Sequence, residues 1–294
     1  MSIRAIQDRL NSYGCASAIE EDQALREITQ EIVLVALGRT AFFDKAAFQG
    51  GTCLRIFHGV NRFSEDLDFA LKVPDSTFQL GGYLKTVVKD LGAFGYQIEI
   101  DDRGGVEDVV KKAFLKDDSI GRLLNLEFRP TSGPLKKIRI KFEVDSNPPS
   151  GATYEVKVMD FPFPAAVSLF DLPSLFAGKM HALLCREYVK GRDWYDFLWY
   201  AARTTKPNFG LLASSLNQNG PWAGQSLSVD EGWSHRELSR KIKSLDFLKL
   251  REDVRRFLRP VEAASLSFWT SEFFLERATK LFGRSENDSS QANG

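Results

Sequence analysis

With 294 residues, 43% of them apolar and 27% charged, the chain is long enough to bury one large core or two ordinary ones, and its mixture excludes disorder and membrane composition. A formal net charge of zero argues against indiscriminate binding to nucleic acid. Three widely spaced cysteines, Cys15, Cys53 and Cys185, fit reduced thiols rather than a disulfide framework, and three histidines with no close Cys or His pair make a zinc site improbable.

Residues 1–11 are charged and mixed, without the apolar stretch of a secretory signal, and no window reaches the roughly 18 uninterrupted apolar residues of a spanning helix. These features predict a cytoplasmic protein with no membrane partner. From Glu21 to Leu37 the apolar positions Leu25, Ile28, Ile32, Val33 and Ala36 keep a helical spacing. Gln49-Gly50-Gly51 interrupts, and a second helix is expected from Thr52 to Phe57. Glu65 to Leu71 (EDLDFAL) begins with the acidic–apolar alternation of a half-buried strand, and Phe78 to Leu91 reads as a helix. Strands are then expected at Tyr96 to Ile100, Leu123 to Phe128, Lys137 to Asp145 and Tyr154 to Val158, with turns at Gly133-Pro134 and Pro148-Pro149. Beyond Pro173 the pattern turns helical: Ser174 to Glu187, Asp193 to Arg203, Arg236 to Ser244 and Ser265 to Phe282. The expectation is an α+β fold. Residues 1–170 form a mixed sheet with helices, residues 171–284 form a helical domain, and residues 285–294 form a frayed tail.

Asp66 and Asp68 stand two apart on the predicted strand, so their side chains leave one face while Leu67 and Phe69 enter the core. Paired carboxylates repel one another unless a cation sits between them, and magnesium, taking one or two carboxylates plus phosphate oxygens, suits that geometry. Two such ions, about 3.5–4 Å apart, can stabilise both an attacking hydroxyl and a leaving pyrophosphate. Alone, Asp-x-Asp is a weak signal and reads first as a solvated edge strand. Gly50 and Gly51 add a second feature, because a glycine pair can turn with positive φ and approach a phosphate, with the amides near Thr52 as an anion site. A plain turn is the alternative; no Walker loop is present. A third carboxylate is expected on the polar face of the 137–145 strand, at Glu143 or, failing that, Asp145.

In the helical half, Lys179 has apolar helical neighbours in Leu175, Phe176, Ala182 and Leu183, so it either snorkels or points at an anion. The following Lys190-Gly191-Arg192-Asp193 offers Asp193 as a helix cap, or Asp193 or Arg192 as the group that fixes Lys179 or a nucleotide. Basic clusters at Lys136–Lys141, Arg236–Lys243 and Arg251–Arg259 are solvated faces or a phosphate-binding surface.

Four ordered segments together resemble the AbiEii/AbiGii toxin family of nucleotidyltransferases, within the DNA polymerase β-like superfamily. They are Phe48-Gln49-Gly50-Gly51-Thr52-Cys53-Leu54-Arg55, Arg62-Phe63-Ser64-Glu65-Asp66-Leu67-Asp68-Phe69, Gly178-Lys179-Met180-His181-Ala182-Leu183 and Lys190-Gly191-Arg192-Asp193-Trp194-Tyr195-Asp196-Phe197. The resemblance covers about residues 20–205. It implies an N-terminal polymerase-β-like domain in which Gly50, Gly51, Thr52 and Ser64 meet the nucleotide. Asp66 and Asp68 would bind magnesium, and Lys179, Arg192 and Asp193 would contribute from the helical domain. The spacing from Gly51 to Asp66 is slightly long for the superfamily, and Gly51 stands where a serine is more usual. The family further implies a toxin of a toxin–antitoxin or phage-defence pair that moves a nucleotide from a nucleoside triphosphate to RNA, with the tRNA 3′ end as leading acceptor and an antitoxin as possible partner. Transfer to a protein or small-molecule hydroxyl, or a non-catalytic nucleotide-binding module, are the alternatives.

Overall fold

The computed structural model describes residues 3–102, 109–117, 119–124, 126–128 and 137–283. The chain falls into two compact units. The first comprises Met1–Gly59, Phe63–Pro148 and Tyr154–Phe170; the second comprises Val60–Arg62, Pro149–Thr153 and Asp171–Gly294. The expected tail, the Gly133-Pro134 turn and Lys136 lie outside the described residues.

The first unit is built on a seven-stranded mixed sheet. Helices α1 (Ile3–Asn11), α2 (Ala18–Gly38) and α3 (Phe42–Lys45) precede β1 (Ala46–Gln49). Then come α4 (Gly50–His58), β2 (Asp66–Leu71), α5 (Gly81–Gly92), β3 (Glu99–Asp102), β4 (Val110–Asp117), α6 (Ile120–Leu123), β5 (Ile138–Asp145), β6 (Tyr154–Met159) and β7 (Ala165–Phe170). The strand order is β3-β4-β5-β2-β1-β7-β6. Strand β2 therefore lies inside the sheet, parallel to β5 on one side and antiparallel to β1 on the other. Of Leu123 to Phe128, expected as a strand, Leu123 instead ends α6 and Glu127 and Phe128 lie in a turn, with Asn125 outside the described residues. Its apolar–polar alternation is only a few residues long, and its described residues pair with no strand of the sheet.

Helix α2 shows why the sheet unit has one core. Ser17 caps it by accepting the Glu20 amide at 3.3 Å, and Glu20 and Glu21 complement the helix dipole in its first turn. From Ile32 onward it is apolar all round, and Ile32 to Leu37 are at most 1% exposed, as expected of a helix enclosed by other elements. Its polar flank is tied down by ion pairs, Arg9 to Glu31 at 2.6 Å and Arg55 of α4 to Glu27 at 2.9 Å. Across the sheet, Phe42, Phe48, Phe69 and Phe142 form one aromatic cluster, with Phe69 and Phe142 stacked at 4.7 Å between ring centroids. Such rings anchor β2 and β5 side by side through burial and ring geometry together.

The second unit is helical: α7 (Leu172–Cys185), α8 (Gly191–Ala202), α9 (Phe209–Gln218), α10 (Glu231–Lys243), α11 (Phe247–Arg255), α12 (Pro260–Ala264), a 3₁₀ turn at Ser265–Phe268, and α13 (Ser271–Phe282). Asp171 caps α7 by accepting the Ser174 amide at 2.9 Å, and a proline at the helix start needs no amide partner there. Its core is aromatic: Phe176 stacks on Tyr200 at 4.2 Å, and Trp194, Phe197 and Trp269 surround Phe274. Trp194 and Trp233 are buried and so serve as core.

Candidate active site

The carboxylates of β2 emerge where the alternation requires. Leu67 and Phe69 are buried at 0% and 1% exposure, while Asp66 and Asp68 are half-buried on the opposite face. In the parallel ladder Asp66 lies opposite Lys141, Asp68 opposite Glu143, and Ala70 opposite Asp145. Residues in register on adjacent strands share a face at a strand spacing of about 4.8 Å. Glu143 is therefore the immediate neighbour of Asp68. Asp145 stands one step further along, beside Ala70, where burial raises its pKa and the Asn147 amide, donating at 2.9 Å, partly offsets this.

Cations stand among these acids. Lys141 Nζ is 2.7 Å from Glu143 Oε2, and Lys112, opposite Glu143 on β4, is 3.8 Å from Oε1. Burial opposes the charge on Lys141. The hydrogen bond and charge of Glu143, reinforced by Asp66 and Asp68, nevertheless hold its pKa above the ordinary lysine value. The same face continues through Lys116, which pairs with Asp101 at 2.9 Å, and Arg139, whose guanidinium sits 4.0 Å from the Phe114 ring centre.

The glycine turn meets the carboxylates directly. Gly50 has φ of +78°, a region that side chains disfavour, and a Cβ built there would lie 2.5 Å from Asp68 Oδ2. Gly50 opens α4, whose cap residue Gln49 is extended and makes no side-chain cap, so the Gln49 side chain does not take up the first-turn amides. A nine-residue helix begins with its positive end beside a carboxylate-bearing strand. Thr52 is 1% exposed and its hydroxyl donates to the Asp66 carbonyl, so that side chain fastens α4 to β2, and its backbone alone remains for a ligand. Ser64 precedes β2, with its carbonyl accepting from Gln30 Nε2 at 3.3 Å. We expect Gly50→Ala to cost about 1–2 kcal/mol of stability through φ alone and to lower turnover well beyond that by displacing Asp68. Urea melts beside initial rates check both; a fully active, undestabilised variant would contradict this reading of the turn.

In the helical unit Lys179 of α7 is 2.7 Å from Asp193 Oδ1 and 2.8 Å from Asp196 Oδ2, both on α8. Arg62 grips Asp196 with two bonds of 2.6 Å, and Arg186 pairs with the other oxygen of Asp193. Burial would raise the Asp193 pKa, but Lys179, Arg186 and Arg62 outweigh it and hold the carboxyl below its usual range. Burial likewise works against Lys179, and Asp193 and Asp196 overcome it. Asp193 does not cap α8: it sits in the first turn, and the cap residue Lys190 makes no side-chain cap. Arg192 lies with its guanidinium 4.1 Å from the Phe257 ring centre. Sequence reasoning had not singled out Asp196 and Arg62. The three-residue spacing of Asp193 and Asp196 on one helix face was the available signal for the first.

The model of a family described as nucleotidyl transferase AbiEii toxin, type IV TA system, matches residues 32–277. Among solved structures, the chain is similar in fold to JHP933 from Helicobacter pylori, at 17% identity and a TM-score of 0.52, covering 92% of this chain and 96% of that one. A second H. pylori structure, of a candidate nucleotidyltransferase, aligns at 16% identity and a TM-score of 0.49, covering 87% of this chain and 96% of that one. No curated protein matches the sequence. The family match spans most of the chain, including both carboxylate strands, the glycine turn and the Lys179–Asp196 network; the chain belongs to the AbiEii nucleotidyltransferase toxin family of type IV toxin–antitoxin systems.

Proposed function

We propose that this toxin transfers a nucleotide from a magnesium-bound nucleoside triphosphate to an RNA hydroxyl, with the tRNA 3′ end as the leading acceptor and a cognate antitoxin as its physiological counterweight. The observation that carries the reading is the placement of Asp66, Asp68 and Glu143 on one sheet face, beside a glycine turn that leaves Asp68 room.

An all-carboxylate donor set suits a hard divalent cation. Among the described residues no three Asp, Glu, His or Cys side chains already converge on one point, and Glu143 is engaged by Lys141. Asp66 and Asp68 suit a metal that arrives with nucleotide phosphates supplying its remaining ligands. Asp66 and Asp68 would hold magnesium, with Glu143 as third ligand, and a bound pair of ions would polarise the α-phosphate and neutralise the leaving pyrophosphate.

The chain's own groups have separate tasks. The Gly50–Thr52 amides receive phosphate oxygens, and the absent side chain at Gly50 lets the phosphates approach Asp68. The acceptor oxygen forms a bond to the α-phosphorus, the bond from that phosphorus to the bridging oxygen breaks, and pyrophosphate departs. The hydroxyl proton passes to a carboxylate, for which Glu143 is best placed. Lys112, Lys116 and Arg139 on the same face give a polyanionic acceptor a favourable approach. That basic row favours an RNA acceptor over a protein hydroxyl.

The test combines the purified full chain, total tRNA, magnesium and each α-labelled nucleoside triphosphate. We expect label on tRNA that disappears with EDTA. Label on protein or small molecules instead would move the acceptor. A lack of any transfer, together with no triphosphate binding, would overturn the reading.

A further inference from the structure

We infer that Lys141 is a resident counter-cation of the carboxylate cradle, which makes divalent metal binding depend on the nucleotide that brings it. The inference rests on the site reading above and goes beyond it to a positioning residue the chemistry had not required.

Position carries the argument. Lys141 stands in register with Asp66 and two residues before Glu143 on the same strand face, with Asp68 diagonal to it, so it shares one patch of the sheet with all three acids and their charges act on its ammonium. Its Nζ is 2.7 Å from Glu143 Oε2, a charge-assisted contact that already occupies one of the oxygens a cation would use. Its side chain is about one-third exposed, and Glu143 is 22% exposed, so solvent screens this pair only in part. Lys112, 48% exposed and 3.8 Å from the other oxygen, adds a weaker rim contribution.

Two consequences follow from one positive charge held beside three negative ones. The apo cradle is held together, because mutual repulsion of the acids is partly cancelled where they are closest. A bare divalent ion is disfavoured, since it must displace Lys141 from Glu143 and sit beside its charge. A metal–triphosphate complex meets neither obstacle to the same degree. It brings its own phosphate oxygens as ligands, and its negative charge gives the displaced ammonium a partner. Free metal and free nucleotide should thus each bind weakly, and the two together should bind cooperatively.

The experiment measures Mn2+ binding to the full chain by electron paramagnetic resonance, with and without α,β-methylene nucleoside triphosphates, which bind without reacting. Wild type is compared with Lys141→Met, Lys141→Arg and Asp66→Ala. We expect Lys141→Met to tighten binding of Mn2+ alone by about tenfold, as removal of a near charge implies, and to reduce the enhancement that nucleotide gives. Lys141→Arg, which keeps the charge, should stay close to wild type. Unchanged or weakened Mn2+ binding in a folded Lys141→Met, while wild type still loses its ion with Asp66→Ala, would overturn the role of Lys141 alone. Wild type that binds no Mn2+ even with nucleotide would overturn the metal-site reading and this inference with it.

Discussion

Asp68→Asn should abolish nucleotidyl transfer while leaving the fold intact. The substitution preserves shape and removes one charge from a half-buried, in-register acid that abuts both Gly50 and Glu143. Loss of a metal-binding carboxylate forfeits several kcal/mol of charge stabilisation in the transition state, so a rate loss of at least about a thousandfold is expected. Stability should fall little, because mutual repulsion among the acids is relieved at the same time. Asp145→Asn is the matched comparison: it lies on the same face but beside Ala70, and we expect no more than a few-fold loss. Glu143→Gln should resemble Asp68→Asn. Rates with α-labelled triphosphate, read beside thermal melts, decide the matter. Wild-type turnover in folded Asp68→Asn would remove the carboxylate mechanism, and a large loss at Asp145 with none at Glu143 would exchange their roles.

The parts of this site visible in the sequence are those where one strand face is apolar. Asp66-Leu67-Asp68-Phe69 and Arg139 to Val144 alternate because Leu67, Phe69, Ile140, Phe142 and Val144 all enter the core, so the acids are forced onto one shared side. Strand β4 was missed for the converse reason. Its inward row runs Lys111, Ala113, Leu115, Asp117, all buried, so two of four core-facing positions carry charge and the hydrophobic period vanishes. Asp117 is tolerated there because it accepts from the amides of Gln97, Ser119 and Ile120. Strand β1 spans only Ala46–Gln49, too short for any period, and β7, Ala165–Phe170, contains no clear alternation. The Glu143–Lys141 pair was within reach of spacing alone, yet a strand face of mixed charge reads equally as solvated. The pairing of Arg62 with Asp196 was out of reach: 134 residues separate them, and no local pattern encodes a contact at that range.

That distant contact is also where the second large effect is expected. The network in the helical unit holds three cations, Arg62, Lys179 and Arg186, against two anions, Asp193 and Asp196, among the described residues. Asp196→Ala takes both carboxylate oxygens from Arg62, which is 3% exposed, and one of the two acids from Lys179. Breaking a buried pair in this way costs about 3–5 kcal/mol, which denaturant melts will read directly. Lys179→Met should cost much less, because Arg62 keeps Asp196, Arg186 keeps Asp193, and the remaining charges balance two against two. Lys179 is thus the surplus cation of the network, with a thioether of similar length able to fill its place. If the folded Lys179→Met variant loses transfer while its melt stays near wild type, the surplus charge serves the chemistry. If it melts as early as Asp196→Ala, Lys179 is an integral member of the network and its assignment to the nucleotide falls.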